Sequence, residues 1–296
     1  MSDSWQQSLE EVRGVKVRSK QPLGGGDFAA SFMAELSNGE RIFVKTHDNP
    51  PANFFSTEAI GLQWLRDSGT VSIPEVLAFS DDPPFLALAW IEPGRGQSRG
   101  QSGRTSDQKL GAALADLHRT SFSCFGRPDC RTTGSLGLPN NPKPGWLEFY
   151  ASQRLQPLAV IARERGALSE NDCSVLEKIA DNLDRSVIAN DSASLLHGDL
   201  WAGNRLVDSD GQSWLIDPAA HGGHREFDLA MMQLFGGYSA DCFAAYHETY
   251  PLQAGFEERV PLHQLAPLVV HAIKFGSSYK SAVRQALRQT ATLLDI

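Results

Sequence analysis

The hydrophobic period of this chain changes once. Up to about residue 92 the apolar residues alternate or run in short blocks, as strands require; later they recur at helical spacing. Within the first part, "AASFMAEL" leads into the turn "SNGE", and "RIFVKTH" follows as a second strand. One helix interrupts them: Phe55, Ala59, Leu62 and Leu65 share a face, and Gly69 is a suitable stop. "FLALAWIEPG" reads as a buried strand ending at Pro93-Gly94. Residues 94–106, "GRGQSRGQSGRTS", contain no apolar residue and read as a mobile connection. Beyond them Leu110, Leu114 and Leu117 line up on one helix face. "WLEFYASQRLQPLAVIARERG" and "DCSVLEKIADNLDRS" follow as further helices. In this half only "NRLVD" and "SWLID" look like strands, and they flank the turn "SDG". The pattern predicts an α+β protein with a small β-rich N-terminal lobe (1–92, including the connecting strand) and a larger, mainly helical C-terminal lobe (93–296). A cleft between two such lobes is a natural ligand site.

Charge and cysteine usage narrow the function classes. The net charge is −8, and no basic run is long enough to track a phosphate backbone, so nucleic acid is not an expected partner. The longest clear apolar run, "FLALAWI", is far too short to span a bilayer. The polar start shows no secretory signal, and a cytoplasmic location is expected. Cys124, Cys130, Cys173 and Cys242 form no C-x-x-C pair, which disfavours zinc knuckles and disulfide scaffolds.

The chemistry concentrates in "LLHGDLWAGNRLVDSDGQSWLIDPA", from Leu195 onward. Asp199, Asn204 and Asp217 are hard oxygen donors of the kind that suits Mg²⁺. Asp199 and Asn204 have the spacing of a kinase catalytic loop, in which the acid orients the acceptor hydroxyl and the amide binds metal. A hairpin then brings in Asp217. In the first lobe, Lys45 follows Ile42, Phe43 and Val44 on a strand and can reach the cleft as a phosphate-binding charge. Glu58, on the next helix, can fix it. Gly24, Gly25 and Gly26 in "LGGGDF" would let backbone N–H groups approach phosphates, although the segment does not complete G-x-G-x-x-G. Singly, each feature has a plainer reading: a solvated lysine, a glycine turn, a capping aspartate, an Asp-Pro turn. Together and in this order they point to an ATP- and Mg²⁺-dependent phosphotransferase.

Neighbouring residues carry weaker signals. Trp201 suits a platform for a sugar or amine, or packing of the loop onto the helical lobe. "HGGHRE" could suggest zinc, but His224, Arg225 and Glu226 read better as a polar wall of the substrate pocket. Asp228 is read as capping a helix or bracing the catalytic loop, and His197 as supporting that loop. "MMQLF" reads as core.

"LLHGDLWAGN", "IDPAAHGGHREFDLAMMQLFGGY" and "HETYPLQAGFEERVPLHQL" resemble the fructosamine kinase/ketosamine-3-kinase family, relatives of aminoglycoside and choline kinases. The likeness covers nearly the whole chain. It implies a protein-kinase-like fold and ATP-dependent phosphorylation of the sugar 3-hydroxyl of ketosamines, the adducts of sugars with amines, glycated lysine included. It also implies Asp199 as catalytic base, Asn204 and Asp217 as Mg²⁺ ligands, Lys45 with Glu58 at the phosphates, and Ala89, Trp90 and Ile91 against adenine. Ala89 stands where family members often carry an acid. The alternatives are a kinase of another small hydroxylated molecule, aminoglycoside- or choline-kinase-like, and a nucleotide-binding pseudokinase scaffold.

Overall fold

The computed structural model describes residues 4–24, 29–94, 106–183, 188 and 192–296. Gly25, Gly26 and most of the polar segment 94–106 lie outside the described residues. The chain opens with a helix that the sequence reading did not foresee, α1 (Ser4–Arg13). It is followed by β1 (Val17–Leu23), β2 (Ala30–Leu36), β3 (Arg41–Thr46), α2 (Phe54–Asp67), β4 (Val76–Asp81) and β5 (Pro84–Ala89). The strands form one five-stranded antiparallel sheet in the order β1-β2-β3-β5-β4.

Both faces of the central strands are covered, which explains the unbroken apolar run in β5. Phe85 and Ala87 join Ile42 and Val44 of β3 beneath Trp5 and Leu9 of α1. Leu86 and Leu88 face the other way, onto Phe55, Ala59 and Leu62 of α2. The two-residue alternation of a strand then puts Phe43 and Lys45 on the α2 side of β3. Helix α2 begins without a local cap: its N-terminal N–H groups at Phe55 and Ser56 donate to Asp81 Oδ1, at 3.2 and 3.1 Å.

The remainder is mainly helical. Helices α3 (Ser106–Arg119), α4 (Trp146–Tyr150), α5 (Gln156–Glu164) and α6 (Glu170–Asp181) come first, and a π-helical turn, Ala151–Leu155, joins α4 to α5. Four short strands follow: β6 (Ser194–Leu196), β7 (Arg205–Val207), β8 (Ser213–Leu215) and β9 (His221–Gly223). Helices α7 (Glu226–Phe235), α8 (Ala240–Thr249), α9 (Phe256–Phe275) and α10 (Lys280–Leu293) close the chain. The expected hairpin is β7–β8. The pair β6–β9 corrects the expectation of a single hairpin; three-residue strands are too short to show alternation. Gly222 sits where a Cβ would lie 1.9 Å from Cys124 O, so only glycine lets that backbone approach.

Pro267 lies inside α9 and cannot donate to His263 O one turn earlier. Buried Tyr150 repairs this, its hydroxyl donating to Leu262 O and His263 O and accepting from Ala266 N. The helical core thus surrounds a polar knot that holds α4 against α9. "MMQLF" is core as expected, with Met231 and Met232 buried. Cys173 and Cys242 are buried and Cys130 exposed, with no disulfide among the described residues. No helix among the described residues is long and apolar enough to cross a membrane.

Candidate active site

The two halves enclose a crevice of about 790 Å³, lined from both sides. From the sheet come Gly24 and Lys45, from α2 Glu58, and from the strand exit Ala89, Trp90 and Ile91. From the C-terminal half come Asp199, Trp201, Asn204 and Asp217.

Lys45 Nζ is held at three points. It donates to Glu58 Oε1 and Oε2 at 2.9 and 3.0 Å and to Asp217 Oδ1 at 2.6 Å. Burial alone would lower the Lys45 ammonium, but Glu58 and Asp217 outweigh it and hold the group above the usual lysine range. For Asp217 burial pushes upward, and the adjacent Lys45 overrides it to keep the carboxyl below its ordinary value. Asp217 adopts φ 54°, a left-handed conformation that aspartate tolerates better than most residues.

The segment between β6 and β7 carries the other acid. Asn204 Nδ2 donates to Asp199 Oδ2 and to Asp199 O, each at 2.9 Å. This commits the amide nitrogen and leaves the amide oxygen as the group able to meet a cation. Burial pushes the Asp199 carboxyl up to about 7, with Asn204 opposing and the nearby Asp217 charge adding to it. A carboxyl poised there can exchange a proton near neutral pH.

The loop is braced from beneath. Asp228, fully buried at the start of α7, accepts from His197 N at 2.7 Å and Gly198 N at 2.9 Å. His118 of α3 reaches Asp228 Oδ2 at 3.3 Å, and its other ring nitrogen meets Tyr246 OH at 2.9 Å. His197 joins the two acidic segments: its Nε2 lies 3.0 Å from Ile216 O, and its Nδ1 accepts from Asp199 N at 3.3 Å. Burial holds His197 below the usual histidine range, so it serves as a neutral strut. Gly198 has φ 80°, and a Cβ there would lie 2.3 Å from Ala219 O. Both reasons require glycine between the histidine and the acid.

The structure overturns one reading. His224, Arg225 and Glu226 do not line the crevice; all three are buried behind it. Arg225 stacks over Tyr250 at 3.6 Å and donates to Tyr250 O and Pro251 O. Glu226 takes a fork from Arg259 at 2.6 and 2.8 Å, and His224 stacks on His263 at 5.7 Å. They open a helix whose first turn faces α9, a tertiary fact no local spacing reveals. His224, Glu226 and His263 could present ligand atoms within 4.8 Å of one another. Both Glu226 oxygens are taken by Arg259, so the cluster is built as an ion pair. His221, the remaining histidine of "HGGHRE", does line the crevice.

Trp201 is 37% exposed at the crevice and meets Phe235 edge to face. Sequence reasoning missed Arg154, His221 and Phe275 in the lining. It also missed His118 and Tyr246 beneath the loop. No spacing links these residues to the acidic cluster, and a buried arginine in a helix looks like any surface arginine in sequence.

A model of the fructosamine kinase family matches residues 1–293. The ketosamine-3-kinase of Mus musculus is 31% identical, over 94% of this chain and 96% of its own. The chloroplastic protein-ribulosamine 3-kinase of Oryza sativa subsp. indica is 30% identical, over 93% of this chain and 79% of its own. A crystal structure from Thermobifida fusca superposes with a TM-score of 0.87 at 35% identity, covering 99% of this chain and all of that one. The choline kinase LicA of Streptococcus pneumoniae, at 16% identity and a TM-score of 0.67, covers 98% of this chain and all of its own and shares the fold.

Proposed function

The chain belongs to the fructosamine kinase family, and from that we propose that its crevice transfers the γ-phosphoryl group of ATP to the sugar 3-hydroxyl of a ketosamine. The observation that carries this reading is the meeting of Lys45, Asp199, Asn204 and Asp217 at one crevice, in a chain matched by the family from end to end.

Each group has a role that follows from its surroundings. Lys45 keeps its charge because two carboxylates hold it, and that charge can offset the phosphates of the nucleotide. Asp199 orients the sugar hydroxyl and accepts its proton late in the transfer; its raised pKa suits a base working near pH 7. Asn204 fixes the Asp199 carboxylate at Oδ2, so the acid does not rotate out of line. The donors that remain, the Asn204 amide oxygen and the Asp217 carboxylate, are hard oxygens and fit Mg²⁺. That ion, when bound, supplies charge neutralisation for the phosphoryl group in flight. Ala89, Trp90 and Ile91 are assigned to the adenine, and Gly24 with the glycines after it to the phosphates. Residues 1–92 and 93–296 are taken as the two lobes on either side.

The aminoglycoside- and choline-kinase alternatives rest on fold alone, and the intact set of four polar groups argues against a pseudokinase scaffold. Coupled-enzyme detection of ADP with glycated lysine, a choline salt and an aminoglycoside tests the assignment. ADP release with glycated lysine only is expected; release with choline or the aminoglycoside instead would reverse it.

A further inference from the structure

Arg154 and His221 line the crevice and take no part in the phosphoryl-transfer set. Arg154 sits on the π-helical turn between α4 and α5 and is only 4% exposed. Such turns concentrate at functional sites. Its guanidinium donates to Pro139 O, Gln153 O and Asn140 Oδ1 and lies 4.7 Å from the Phe149 ring centroid. All of these acceptors are neutral, and among the described residues no carboxylate pairs with it. Burial lowers the group to about 9. A buried cation with no acid is an unfinished arrangement.

His221 is 1% exposed. Its Nδ1 lies 2.8 Å from Ala219 O, a carbonyl that can only accept, so Nδ1 carries the proton. Nε2 therefore offers a lone pair, and this buried atom has no partner among the described residues. Its ring packs 5.5 Å from the same Phe149 ring. Burial, with the Arg154 charge adding to it, pushes the imidazole down to about 3 and keeps it neutral.

One wall of the crevice thus presents an unmet acceptor and an unneutralised donor. Sugar hydroxyls satisfy both, one giving its proton to Nε2 and another receiving from the guanidinium. A carboxylate would suit Arg154 but would face the His221 lone pair. Orientation follows from the substrate. The amine of a ketosamine carries a larger group and must leave toward solvent, where Trp201 and Phe275 line the crevice at 37% and 43% exposure. The sugar tail is the part free to enter the buried wall.

We propose that Arg154 and His221 bind the hydroxyls on the terminal sugar carbons, 5 and 6, and so set the enzyme's preference for sugar length. This rests on the ketosamine-kinase reading above. The test is steady-state kinetics of the wild type, Arg154→Met and His221→Phe with fructosamine and erythrulosamine adducts of one amine, the second lacking the terminal carbons. Each variant is expected to raise KM for the fructosamine by about ten- to a hundredfold. KM for ATP and for the erythrulosamine should change by less than about twofold, within the scatter of a neutral surface change. An equal loss on both adducts would overturn the proposal, leaving Arg154 as a clamp on the Pro139–Asn140 loop. A loss confined to adducts whose amine bears a carboxylate would also overturn it. Should a variant not fold, calorimetry on the wild type decides: an unreactive 3-deoxyfructosamine must bind more tightly than its 3-deoxyerythrulosamine counterpart, and equal binding refutes the subsite. A wild type that phosphorylates neither adduct refutes the kinase reading and this proposal with it.

Discussion

Lys45 and Asp217 are 172 positions apart in sequence and 2.6 Å apart in space, Nζ to Oδ1. One lies on the third strand of the sheet, the other just past the β7–β8 hairpin of the helical half. Their contact is the point at which the two halves meet chemically. Glu58 holds the lysine from its own side at 2.9 Å, so the ammonium is fixed before any nucleotide arrives. A side chain positioned in advance loses little freedom on binding, which favours transition-state stabilisation.

Replacing Lys45 with methionine keeps the stem and removes the charge. We expect kcat/KM for ATP to fall by about 10²–10³-fold, the usual effect of losing one preorganised charge. Steady-state kinetics with varied ATP checks this, and an unchanged value would remove Lys45 from phosphate binding.

Asp199→Asn retains the shape and the acceptor for Asn204. Turnover is expected to drop by about 10²–10⁴-fold, the range for loss of a positioned general base. Calorimetric ATP affinity should stay within about threefold, which is less than about 0.7 kcal/mol of binding free energy. A variant that turns over normally would exclude Asp199 as the base.

The same substitution carries a pH signature in the ligand-free protein. The folded-state pKa of Asp199 is raised, to about 7, so its contribution to stability is fully present at low pH, where it is protonated in both states. That contribution is lost as pH rises through about 7, because the fold must then hold a poorly solvated carboxylate. Asparagine avoids the loss. Thermal unfolding should therefore show Asp199→Asn more stable than wild type at pH 8, with the gain fading as pH falls below 7. A gain that is constant across pH, or larger in acid, would contradict the raised pKa.

Much of this site could be read before any coordinates. Lys45, Glu58, Asp199, Asn204 and Asp217 each sit on the element their local pattern indicates: a strand bounded by apolar residues, an amphipathic helix, a loop after two leucines, the end of a hairpin. Local pattern suffices there because the chemistry is arranged by secondary structure that the pattern dictates. It failed at His224, Arg225 and Glu226, whose polarity suggested a pocket wall although α9 covers them. Arg259 and His263, which hold Glu226, are more than thirty positions from it, and Tyr250 and Pro251, which hold Arg225, are 25 and 26 positions from that residue. It also failed for Arg154, because a π-turn leaves no mark in residue spacing, and for α1, whose buried face is only Trp5 and Leu9.

The corrected role of Glu226 makes a prediction of its own. The Arg259 guanidinium and His263 hold its carboxyl at about 2, against burial that would raise it. Glu226→Gln removes the buried carboxylate that forks with Arg259 and should destabilise the fold by about 3–5 kcal/mol. For the protein that remains folded, both KM values should be unchanged. Urea unfolding with parallel kinetics checks this; a raised ketosamine KM at unaltered stability would restore Glu226 to the substrate wall.

The most direct test is the position of the phosphate on the product. The purified protein is incubated with ATP, Mg²⁺ and a defined fructosamine, and the product is analysed by two-dimensional phosphorus–proton NMR. The account requires coupling of the phosphorus to the proton on sugar carbon 3, and product formation slowed by at least about a hundredfold when Asp199→Asn replaces the wild type. Phosphate on a different oxygen, or the same product at the same rate from the variant, would contradict it.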